Sequence, residues 1–208
     1  MTATAGQGDR VGLSVVAAAI VVGAELVRSV IMDRLRWEVD YPEMFAVQGV
    51  SITLVILTYA AVLIWRGRTL VRRLTAPLLL LPPWLSQVFL LVVLFMLTRG
   101  SVDLVMSDWW LVLNRALFVI SVVCPVAAWG VARRRGSLWL VGLLVPAGLA
   151  VGWLVGRSRL DTSLPPQSLS TDLIMGASVM AIPILGCLAC WGIEALSRRP
   201  PSAQVAAT

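Results

Sequence analysis

The sequence predicts an all-α, polytopic membrane protein, six transmembrane helices in a single domain with both termini cytoplasmic. Three observations carry that expectation. Apolar residues make up 59% of the 208 residues and charged residues only 13%, whereas a soluble domain sits nearer roughly half and a quarter. The apolar residues fall into runs of about 20, the length that crosses a hydrocarbon core. The basic residues gather in the short segments between those runs, the pattern of a topology signal.

The first span is read at about residues 11–32. It carries Glu25 and Arg28, and no small-residue cleavage site follows its apolar run, so it is expected to stay as a helix rather than leave as a leader. The second span, about 45–65, ends at Trp65 and runs into Arg66. The third covers about 82–98. The fourth, about 109–131, opens on Trp109 and Trp110, with Ser107 or Asp108 as its N-cap. The fifth covers about 138–156. The sixth, about 172–196, is capped by Ser170 or Thr171, and 197–208 is expected to form a short flexible cytoplasmic tail. Trp65, Trp129 and Trp191 sit near the ends of spans two, four and six, each followed by Arg. An indole prefers the headgroup boundary, where its ring is apolar and its N–H stays wet. That preference explains the recurrence without an internal repeat.

Orientation follows from the arginines. One set of segments holds Arg10, Arg66, Arg68, Arg72, Arg73, Arg133, Arg134, Arg135, Arg198 and Arg199, against Asp9 and Glu194. The opposite set holds only Arg34, Arg36, Arg99, Arg157 and Arg159, among Asp33, Glu38, Asp40, Glu43, Asp103, Asp108, Asp161 and Asp172. The positive-inside rule places the Arg-rich set, and with it both termini, in the cytoplasm. A cell (inner or plasma) membrane is the expected location. The net charge of +6 is thereby read as topology rather than nucleic-acid binding.

The composition also excludes chemistries. All 17 basic residues are Arg; there is no Lys and no His. No imidazole is present for general-base work, metal ligation or haem, and no amine for a Schiff base. Nucleophile elbows, phosphate loops and zinc-protease motifs are absent from the sequence. The chain is therefore not read as an enzyme, and no cofactor or metal is expected. Cys187 and Cys190 form a C-x-x-C, but toward the C-terminal end of an apolar helix, where no dipole lowers a thiol pKa. Two thiols alone are too few for a closed zinc site, and packing is the expected role. Glu38, Asp40 and Glu43 read as a solvated acidic loop.

Two patterns remain. Gly148, Gly152 and Gly156 make a G-x-x-x-G-x-x-x-G stripe along one face of the fifth span, where another backbone can approach closely. The expectation is packing inside the bundle, with a homo-oligomer seam as the alternative. The second pattern is an intramembrane polar cluster of Glu25, Arg28, Gln48, Asn114 and Arg115. Glu25 and Arg115 fall at nearly the same depth from the outer side, about 10 Å at 1.5 Å per residue. A charge at mid-bilayer costs about 2.5–3.5 kcal/mol on insertion scales, so these groups are expected to find partners. They read either as a structural clamp between spans one and four or as a binding site for an anionic or zwitterionic group. Pro125, Pro146 and Pro183 fall mid-span and permit kinks.

The segment W-R-G-R-T-L-V-R-R-L-T-A-P-L, Trp65–Leu78, resembles the loop between helices two and three of type-2 ABC exporter permeases. Six spans with cytoplasmic termini match that family as well. The resemblance covers about fourteen residues. The chain is shorter than those permeases, and the segment between spans five and six is briefer. It implies a permease working with a cytoplasmic ATPase. The expected function is thus a permease-like component that binds or moves a small or lipidic solute. The alternative is a non-catalytic membrane subunit or anchor that stabilises a larger complex through a partner membrane subunit.

Overall fold

The computed structural model describes residues 30, 41–67, 69–98, 108–133, 137–160 and 169–197, and among these the chain is all-helical. The helices are α1 (Tyr41–Arg66), α2 (Leu70–Leu78), α3 (Leu81–Thr98), α4 (Asp108–Arg133), α5 (Leu144–Leu160) and α6 (Leu169–Ser197), with a 3-10 helix, Leu138–Leu143, leading into α5. Apart from Val30, the first span expected at 11–32, with Glu25 and Arg28, lies outside the described residues, as does the tail beyond Ser197. Among the described residues, five helical stretches are long and apolar enough to cross a membrane: Phe45–Trp65, Leu70–Val93, Trp109–Arg133, Leu138–Arg157 and Leu173–Leu196. That is the pattern of a multi-pass membrane protein.

One stretch differs from the sequence reading. The span read at 82–98 is α3, Leu81–Thr98, but the apolar stretch that contains it begins earlier, at Leu70, because Leu70–Leu78 folds as its own short helix. Thr69 caps it, its hydroxyl accepting from the Arg72 N–H at 3.4 Å. Arg73 ties it back to α1, Nε donating to the Gly67 carbonyl at 2.8 Å. Pro82 and Pro83 then lack the N–H groups that would continue the α pattern. The chain instead turns through tight i→i+3 bonds, from the Leu79 N–H to the Ala76 carbonyl and from the Leu80 N–H to the Pro77 carbonyl, before α3 starts.

α4 is the hub of the bundle. It contributes to each of three buried clusters: Ala128 and Ala132 with Leu63, Ala76 and Leu80; Val122 with Ala150 and Ile182; Val126 with Trp139 and Cys190. Side-chain hydrogen bonds between helices reinforce this packing. Trp84 Nε1 donates to Thr53 Oγ1 at 3.0 Å, the Ser86 and Ser121 hydroxyls meet at 3.0 Å, and the Tyr59 hydroxyl donates to the Pro125 carbonyl at 3.0 Å. Trp153 Nε1 donates to Ser178 Oγ at 3.0 Å. In hydrocarbon these bonds replace water that is not there. The outward faces are apolar: Leu54, Leu57, Val112, Val151 and Ile174 are all exposed, as a lipid-facing surface requires.

Candidate functional site

Arg115 lies seven residues into α4 from Asp108. Its depth below the helix start is therefore about 10 Å. The residue is exposed rather than tucked into the bundle, as is Asn114. Among the described residues Arg115 makes no hydrogen bond and no ion pair. Its helical position places it above Val119 and Val122 on the side of α4 that meets α5, and side chains on a helix lean toward the N-terminus. The guanidinium therefore leans toward the end of the bundle where α4 begins.

Beside it is a cavity of about 290 Å³ lined by Arg115, Ala116 and Val119 of α4 and by Val151, Leu154 and Val155 of α5. One permanent cation thus stands at one end of an otherwise apolar trough. Aromatic contacts lie on the same two helices. Phe118 stacks on Trp153 with ring centroids 4.9 Å apart, and the Arg157 guanidinium lies 5.3 Å from the Trp153 ring centre. The Phe118–Trp153 stack joins α5 to α4, and the Trp153–Ser178 hydrogen bond joins it to α6, while the Arg157 contact lies within α5.

The glycine stripe lies on the same helix, α5. Gly148 and Gly152 are exposed, and a Cβ built on Gly148, Gly152 or Gly156 would meet nothing within 4 Å. The packing expected of the stripe inside the bundle is not made by any described helix. Close approach occurs elsewhere. A Cβ at Gly186 would come 2.9 Å from Pro146, one at Gly142 would come 2.7 Å from Cys190 Sγ, and one at Gly130 would overlap the Trp139 ring. Cys190 is fully buried in that contact, which gives half of the C-x-x-C its packing role. One turn beyond it Glu194, assigned from sequence to the cytoplasmic surface, is buried too.

Of the polar cluster read from sequence, Glu25 and Arg28 lie outside the described residues. Gln48 is half-buried on α1, and no hydrogen bond joins it to Asn114 or Arg115. Trp109 is exposed, as an interface anchor should be, but Trp110 turns inward, with its ring 6.4 Å from that of Phe89. The trough itself was not legible from sequence, because it depends on which face of α5 meets α4. Among the described residues no group of three or more His, Cys, Asp or Glu is placed to hold a metal ion. Comparison of the chain with protein-family models, with curated proteins and with solved structures finds no match.

Proposed function

We propose that this protein is a permease-like membrane component that binds, and moves, a small or lipidic solute through an anionic group held at Arg115. In this reading the chain has six spans, both termini are cytoplasmic, and the protein resides in a cell membrane. A cytoplasmic ATPase or a second membrane subunit is its working partner. The observation that supports the reading is the pairing of one exposed guanidinium with an apolar cavity of about 290 Å³. A cation that bonds no described residue is suited to an anionic group, and the Val and Leu walls are suited to an alkyl portion.

Mass spectrometry of molecules retained through purification in mild detergent tests this reading. Wild type should retain an anionic amphiphile that Arg115→Leu loses. Identical retained species in the two proteins would contradict it. A second reading, a non-catalytic subunit that anchors a larger assembly, draws on the open glycine stripe, a surface that a partner helix can approach closely. Co-purification of a stoichiometric membrane protein, lost in Gly152→Leu, would favour it.

A further inference from the structure

We infer that the α4–α5 trough is a phospholipid site, with a headgroup phosphate on Arg115 and an acyl chain laid along Val119, Val151 and Val155. The inference deepens the proposed binding role by naming the ligand class, and it rests on that role only in sharing Arg115. Reach comes first. Arg115 is about 10 Å below the start of α4, and its long side chain leans back toward that start, so it snorkels to the level of phosphates. Exposed Trp109 marks that level.

Shape and charge agree with a lipid. The cavity walls below Arg115 are Val and Leu side chains and one Ala, which offer nothing to hydrate and so suit a hydrocarbon chain. Next to them the surface of α5 is flattened by Gly148 and Gly152, with open space above each, so a chain can lie close to the backbone. The charge on Arg115 selects the headgroup. A guanidinium binds a phosphodiester through paired N–H donors. It favours a lipid whose net charge is negative over one that carries its own ammonium group.

Photolabelling in nanodiscs tests this with phosphatidylglycerol carrying a mid-chain diazirine, the labelled peptides being located by mass. Label should concentrate in residues 116–119 and 151–155, above that at the exposed Leu54, Leu57 and Ile174. Unlabelled phosphatidylglycerol should compete for it, and phosphatidylcholine should compete less. In Arg115→Gln it should fall about fivefold, the effect of about one cation at an anionic surface, and Arg115→Lys should keep most of it. Val151→Trp, a change at an exposed position, should block the trough while leaving Arg115 in place.

Even labelling over all exposed faces would overturn the inference, as would labelling indifferent to Arg115→Gln or Val151→Trp. Protection of the trough in wild type, relieved by Glu25→Gln, would overturn it in favour of the first span as occupant. Competition by inorganic phosphate at equal strength would mean a free-anion site. The broader solute-binding reading would survive any of these results if a different anionic species were retained through Arg115.

Discussion

The Thr53 hydroxyl is both acceptor and donor within the membrane: it receives the Trp84 indole N–H at 3.0 Å and donates to the Gly49 carbonyl at 2.8 Å. The bond fastens α1 to α3, and its loss would leave an indole N–H without water or partner. Thr53→Val should lower stability by about 0.6 kcal/mol and at most about 1.7, the range for hydrogen bonds between membrane helices. A double-mutant cycle with Trp84→Phe, read by thermal unfolding in mild detergent, should show coupling between the two sites. Additive effects would mean that the bond contributes nothing to folding.

Glycines on facing helices should respond in opposite directions. A Cβ added at Gly186 would come 2.9 Å from the rigid Pro146 ring and 3.1 Å from Val126. Gly186→Ala should therefore cost about 1–3 kcal/mol by overpacking. Gly152 has open space, and Gly152→Ala should be neutral or stabilise by up to about 1 kcal/mol through helix propensity. Melting temperatures of the two variants check this. A larger loss at Gly152 than at Gly186 would mean that a partner outside the described residues packs on the stripe.

Orientation has its own test. Ser101→Cys, in the segment between α3 and α4, should react with an impermeant thiol reagent in intact cells. Ser137→Cys, exposed beside the arginines at 133–135, should react only after the membrane is opened. The reverse pattern would invert the topology.

The long spans were legible because apolar composition and length decide them. The fourth, read at 109–131, is Asp108–Arg133 in the structure, and the sixth, read at 172–196, is Leu169–Ser197. What escaped is set by partners rather than by the local sequence. Arg72, Arg73 and Pro77 make the segment after Trp65 look like a loop, yet burial of Ala76 against α1 and α4 helps hold it as a helix. The spacing of Leu70, Leu74 and Leu78 was the available signal. Thr53, Ser86, Ser121 and Ser178 are single hydroxyls in apolar runs, and nothing in the sequence says which helix each will meet. The glycine stripe is conspicuous for its spacing, but among the described residues the tight helix contacts are at Gly130, Gly142 and Gly186. Arg115 stands out in the sequence as a charge within an apolar run; its trough required knowing the rotation of α5.

Whether Arg115 serves a ligand or the fold is the question on which the account turns, and one variant answers it most directly. Arg115→Gln should be measured for both thermal stability and retained amphiphile in the same detergent preparation. An exposed side chain bonded to no described residue should change stability by no more than about 0.5 kcal/mol, while the anionic species retained by wild type disappears. A loss of about 3–5 kcal/mol, the cost of breaking a buried ion pair, that was matched by Glu25→Gln and partly recovered in the double mutant would contradict the account. It would make Arg115 one half of a clamp between the first and fourth spans.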